Sequence, residues 1–263
     1  MKTLIHYLKV YKAFVSIAFA QALSFRLHFV LVAIMDVLFF ASAVLSAEIL
    51  FTTMPAIGFW DKDRFLFFVS FMLAVEQLHM TFIGEGFWEL SEDIRTGNLD
   101  YKLLRPIGSI FVVVFSHVRA GTLFNFFLPW GFLIYYGLAL NLSLVSWLLL
   151  PVLVIAGFTI QVLVEILVAI GMFWMIDGTA LNFVRIQLQT ISKWPDTLYQ
   201  SYLKRFFTVV VPVLLIGSAP VHYLIDSSRV NLLIIMIGFL ILLPILISFA
   251  WRQGLRKYES ASS

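Results

Sequence analysis

A chain of 263 residues that is 61% hydrophobic and only 13% charged, with mean hydropathy +0.97, cannot clothe a water-facing surface; soluble domains carry about 25% charged residues. Lipid must cover much of it. Cysteine is absent, which excludes disulfides and thiolate metal sites, and a net charge of +3 says little about partners.

Residues 1–25 come first. Lys2, His6, Lys9, Lys12 and Ser16 recur at helical spacing opposite Leu4, Leu8, Tyr11 and Val15, the pattern of a basic amphipathic helix lying in the membrane interface. A signal peptide fits less well, because Lys9 and Lys12 interrupt its apolar core. Apolar runs then follow at Leu27 to Leu50, Phe65 to Ile83, Ile110 to Leu140, Trp147 to Ile176, Phe206 to Ile225 and Leu232 to Ala250. Each is near or above the ~20 residues a helix needs to cross a bilayer. Closed β-barrels show alternation instead of long continuous runs. The expected fold is therefore all-α, one transmembrane domain over 1–263 with six crossings. Lys2, Lys9, Lys12 and Arg26 precede the first run, and Arg252, Arg256 and Lys257 follow the last. By the positive-inside rule both termini are expected in the cytoplasm, with the Phe51 to Lys62 loop outside.

The loop 84–109 then falls inside, and it is the most informative polar segment. Glu85 to Arg95 reads as a short helix with Glu85, Glu89, Glu92 and Asp93 sharing part of one face. Gly97 suits a left-handed helix-ending position, followed by Asn98 in the turn. Asp100 is expected to cap a second short helix that Pro106 limits. Leu99, Leu103 and Leu104 are costly on a plain solvated loop and suggest a docking surface; Arg105 suits either a protein contact or lipid headgroups. No GxxxxGK[ST], HExxH or GxSxG motif occurs, the histidines show no ligand-like pairing, and no metal or cofactor site is expected in the chain. Nothing argues for an enzyme or for nucleic-acid binding.

The segment IRTGNLDYKLLRPIGSIF, from Ile94 to Phe111, resembles the GxLDxxLL(R/K)P signature of a bacterial permease family in the type-two ABC exporter class, and FAWRQGLRKY, from Phe249 to Tyr258, resembles that family's WxxGL(R/K)xY ending. Glu259-Ser260-Ala261 departs from the family's usual Gly-Ala-Gly continuation. The resemblance implies a bacterial inner-membrane transporter subunit, an exporter more than an importer. It implies a partner permease, identical or paralogous, and separate ATPase subunits that carry ATP and Mg. It makes the 84–109 loop the coupling element and puts the substrate path between the two permeases. It also places a tight turn near Asp177-Gly178, a fifth crossing through roughly Thr179 to Trp194, and an outer re-entrant helical pair at 195–228. Hydropathy alone would make Phe206 to Ile225 the fifth crossing. Pro212 and Pro220 favour broken helices there.

Asp36, Glu76, Glu165, Arg119 and Arg185 sit within or beside apolar runs, where an uncompensated charge costs ~2.5–3.5 kcal/mol. Two readings are open. Gln161, Glu165, Arg185, Gln187 and Gln189 line a substrate path, or the charges pair within the chain to fix packing, for example Glu76 with Arg119. An intramembrane lipid-acting enzyme and a non-transporting membrane scaffold are the rival functions.

Overall fold

The computed structural model describes residues 2–24, 26–53, 56–83, 86–175 and 178–258, and they are almost entirely helical. Helix α1 (Lys2–Ser24) is followed by α2 (Arg26–Thr53), a hairpin of β1 (Ala56–Ile57) and β2 (Trp60–Asp61), and α3 (Lys62–Phe82). The hairpin pairs Ala56 with Asp61 and Ile57 with Trp60. Asp61 ends it and starts α3, its Oδ1 accepting from the Arg64 N–H at 2.9 Å. Two short helices, α4 (Gly86–Thr96) and α5 (Leu99–Leu103), lead to α6 (Ser109–Phe115), a 3-10 turn at Ala120–Asn125, α7 (Phe127–Ala139) and α8 (Leu144–Ile170). The chain continues through α9 (Thr179–Ser192), α10 (Ser201–Arg205), α11 (Ser218–Ile225) and α12 (Asn231–Lys257). Asp177, Glu85 and Glu259-Ser260-Ala261, named above, lie outside the described residues.

Among the described residues, five stretches, built on α2, α3, α7, α8 and α12, are long and apolar enough to cross a membrane. Helix α3 is the hub. Its most apolar window is 78% buried, against 17% for α2 and for α12. Phe65, Phe67, Phe68 and Phe71 are all at 2% exposure or less, so α3 is apolar on every side because other helices cover every side. The outward faces of α2 and α12 carry Leu31, Ile34, Leu38, Ile241, Ile245 and Phe249, a surface suited to lipid. On α1 the protein-facing stripe is half-buried Tyr7, Tyr11 and Phe14 with buried Ala18, while Leu8 is 60% exposed. The apolar side of α1 is thus divided between a protein-facing stripe and a free one.

The expected third crossing, Ile110 to Leu140, is not one helix. It breaks over 116–119 between α6 and the 3-10 turn. Thirty-one helical residues would extend ~46 Å, well beyond a ~30 Å hydrocarbon core. The break lets the Arg119 N–H donate to the Thr81 carbonyl at 2.9 Å. The crossing is carried by Ala120–Ala139, and α6 packs on α1 through Phe111 with Tyr7, ring centroids 4.9 Å apart.

The ends of α3, ~31 Å apart, define two ends of the bundle, one at the hairpin and one at α4. Helix α9 connects them. Its start lies at α4, where Asn182 Nδ2 donates to the Phe87 carbonyl at 3.4 Å. Just beyond its end, Thr197 Oγ1 accepts from Trp60 Nε1 at 2.6 Å beside the hairpin. At 14 residues, or ~21 Å, α9 is short for a crossing, and the irregular 193–199 segment completes the reach. The following segment leaves the hairpin end and returns to it. Asp196 and His222 are bonded at 2.8 Å, and the Leu224 carbonyl accepts from Ser146 Oγ at 2.9 Å. Between them, Ser201–Val210 and Pro212–Ile225 are bent by 82° at Val211, where Pro212 ends the preceding helix. The Ile216 carbonyl reaches Gly157, about 16 Å further along α8 than Ser146. A Cβ at Gly157 would sit 2.6 Å from that oxygen, so only glycine lets the tip dock. A re-entrant pair and a single broken span bury the same apolar residues, so hydropathy alone does not separate them.

The chain is naturally free of cysteine, so single cysteines report sidedness directly. Asp63→Cys and Lys204→Cys are expected to react with a membrane-impermeant maleimide from one side of sealed vesicles, and Tyr101→Cys from the other. Gly157→Val should lower the melting temperature in detergent through its clash with the Ile216 backbone, by an amount that corresponds to ~1–3 kcal/mol of overpacking.

Candidate functional site

The α4–α5 loop folds around Gly97, whose φ of 78° is the left-handed conformation expected after a helix end. Asp100 does not cap α5. The helix already begins at Leu99, because the Gly97 turn reverses the chain at once and the Gly97 carbonyl accepts the Asp100 N–H at 3.2 Å. Asn98 occupies the cap position and is exposed. Leu99 is fully buried in the protein's own core and Leu103 is half-buried against it, so neither offers an open apolar surface. Leu104 and Tyr101 do, at 82% and 71% exposure, and Trp88 on α4, Arg105 and Pro106 are exposed as well.

The acids of α4 are largely committed within the chain. Lys102 Nζ lies 2.5 Å from Asp93 and 3.5 Å from Glu89, and His117 Nε2 is 2.7 Å from Glu89. Glu92 pairs with Arg95 at 2.7 Å, both exposed, a pair worth under ~1 kcal/mol. The loop is therefore a braced platform whose outward face is aromatic, aliphatic and basic.

Four of the five polar residues proposed for the path meet inside the bundle. Glu165 Oε2 is 2.8 Å from His79 Nε2 and accepts from Arg185 Nη1 at 3.1 Å. Glu165 Oε1 accepts from Gln189 Nε2 at 2.5 Å and Gln161 Nε2 at 3.3 Å. Glu165, Arg185, Gln161 and His79 are buried, whereas Gln187 is exposed on another side of α9. The void among them, about 10 Å³, has space for little more than one water. His79 on α3, which carries no ligand-like pairing in the sequence, joins them through Glu165. No local pattern pairs it with a carboxylate 86 positions away. The suggested pair of Glu76 with Arg119 does not form: Glu76 takes Lys193 at 3.4 Å, since α9 passes α3 there while the 116–119 break directs Arg119 elsewhere.

From this cluster a run of contacts leads back to the loop. Arg185 Nε donates to Asn182 Oδ1 at 3.4 Å, the Arg185 guanidinium lies 5.0 Å from the Phe87 ring centre, and Asn182 holds the Phe87 carbonyl. Phe87 belongs to α4. At the opposite end, Asp196 is held by His222 and Lys204. Burial pushes its carboxyl up, but these two hydrogen bonds outweigh burial and hold it below its ordinary value.

A bundle of apolar membrane-length helices around a hydrogen-bonded polar cluster, with a braced helical loop at one end, is the architecture of a multi-pass membrane protein. The model of the ABC-2 family transporter protein matches residues 37–262, and the chain belongs to that family. No curated protein and no solved structure matches it.

Two consequences are measurable. Glu165→Ala strands Arg185 without its carboxylate partner, and should destabilise the detergent-solubilised protein by about 3–5 kcal/mol, read as a fall in melting temperature. For Asp196 the folded carboxyl ionises below its unfolded value, so its stabilisation is full above about pH 4 and lost as pH falls through the lowered folded value. The melting-temperature gap between the native chain and Asp196→Asn should be constant at neutral pH and close only below about pH 4.

Proposed function

We propose that the chain is the membrane-spanning subunit of an ABC exporter that works beside a second permease chain, identical or paralogous, and is driven by separate ATPase subunits holding ATP and Mg. The observation that carries this reading is the continuous run from Phe87 on α4 through Asn182 and Arg185 to Glu165 and His79. A push on α4 reaches α9, α8 and α3 without crossing a soft loop. The ATPase docks on the exposed face of α4–α5, with Leu104 and Tyr101 as apolar anchors and Arg105 and Glu92 at the rim. An apolar centre within a polar rim is the anatomy of a protein interface. Glu89 and Asp93 brace the platform from within.

In this reading the Glu165 cluster seals the interior of the subunit, and the substrate path runs between the two permeases. The exposed side of α9, with Gln187 and Thr190 beside Phe183 and Val184, suits such a path because it mixes polar and apolar groups. In the same reading the termini and the α4–α5 loop lie in the cytoplasm, the side the basic residues favour, with α1 in the inner interface.

Leu104→Asp should abolish co-purification of the ATPase while leaving membrane abundance unchanged, because Leu104 contributes no burial to the fold. Asn182→Ala should keep the ATPase bound but disconnect its hydrolysis from transport. If Leu104→Asp retains the ATPase at the native ratio, the docking face is wrong; if Asn182→Ala transports at the native rate, the contact run is not the coupling route.

A further inference from the structure

A cavity of about 630 Å³ opens between the second half of α1, the start of α2 and the 116–122 break, within the range of small-molecule sites. It serves no step of the transport reading above. Its lining is divided in two. Phe14, Ile17, Phe29 and Val32 form an apolar wall, and Ser116 and Arg119 stand among the polar groups opposite.

The polar side has unmet capacity of one sign. Glu89 is already paired with His117 and Lys102. Among the described residues Arg119 forms no ion pair within 4 Å; the nearby acid Asp36 feels its charge but takes its hydrogen bond from Asn125 at 3.4 Å. Ser116 Oγ is buried with no hydrogen-bond partner. A guanidinium and a spare hydroxyl call for an anion with several acceptor oxygens. The apolar wall calls for hydrocarbon, since leaving it against water costs about 25 cal/mol per Å². Both demands meet in one molecule. Lys9 and Lys12, exposed on α1 shortly before Phe14, are basic residues of the kind that draws anionic lipid.

We propose that this groove is a binding site for one anionic phospholipid, its phosphate on Arg119 and Ser116 and an acyl chain along Phe14, Ile17, Phe29 and Val32. The lipid fills the gap left by the break between α6 and α7, and it fixes α1 against the bundle beside the α4 platform.

The test is native mass spectrometry of the full chain, delipidated in detergent and titrated with phosphatidylglycerol, with phosphatidylcholine of the same acyl chains, or with glycerol phosphate. The native chain should retain one phosphatidylglycerol and bind it about fivefold more tightly than phosphatidylcholine, the weight of one cation facing an anionic lipid. Glycerol phosphate, lacking hydrocarbon, should not be retained. Arg119→Gln should reduce phosphatidylglycerol to the phosphatidylcholine level, and Arg119→Lys should restore part of the preference. Ala22→Phe, which narrows the groove, should weaken both lipids while the melting temperature of the delipidated protein stays near native. Equal retention of both lipids, unaltered by Arg119→Gln, would overturn the proposal. Undiminished lipid retention in Ala22→Phe would place the lipid elsewhere and overturn it as well, and retention of glycerol phosphate would make the site one for a soluble anion.

Discussion

A carboxylate buried among hydrocarbon must find donors or it does not stay ionised. In this protein Glu165 finds four, from three helices: His79 on α3, Arg185 and Gln189 on α9, and Gln161 one turn back on its own α8. Those bonds fix where a short helix stands against two long ones. Once α9 is placed, so is the 193–199 segment that follows it, and with it the point at which the re-entrant pair leaves the hairpin end. The docking of Ile216 on Gly157 then closes the bundle over the cluster. Apolar packing alone supplies cohesion but little register in a membrane, where side chains and lipid tails are chemically alike. The polar cluster supplies the register.

The two sequence signatures meet in space. Trp251 of the C-terminal motif donates from Nε1 to Ser109 Oγ at 2.9 Å, at the exit of the loop motif. Its ring packs edge-on to Phe173 at 5.1 Å, and Gly254 lets that same Phe173 approach so closely that a Cβ would clash with the ring. One residue from Ser109, the Gly108 N–H donates to Tyr7 Oη at 2.9 Å and brings α1 to the same place. Through these contacts α1, α6 and α12 are pinned together directly behind the α4–α5 platform. A platform that is to pass on a displacement must not slide on its support.

The hairpin end is built on the same economy of charge. Phe59 lies between the Arg64 and Arg229 guanidinium groups, at 4.6 and 3.9 Å from its ring centre, and Trp60 is buried with Phe68 and His222 against it. Asp196, with Lys204 and His222, ties both limbs of the re-entrant pair to this aromatic group. Lys204 keeps the Asp196 carboxylate as its partner at this end.

Composition and run length alone determined that the chain is an all-helical membrane protein, since backbone polar groups in lipid can be satisfied within a helix. The short-range signals were equally legible: the helix end at Gly97, the two-helix loop, and Pro212 breaking the segment near 211. Only the tertiary structure decided which polar residues meet. Gln187 and Gln189 are two positions apart and read alike, yet a helix turns about 200° between them, so one enters the cluster and the other faces outward. Leu99 and Leu104 read alike as exposed loop leucines, yet the Gly97 turn folds Leu99 into the core. Glu76 and Glu165 each found partners more than 80 positions away in the chain, through contacts that exist only once α3, α8 and α9 are packed together.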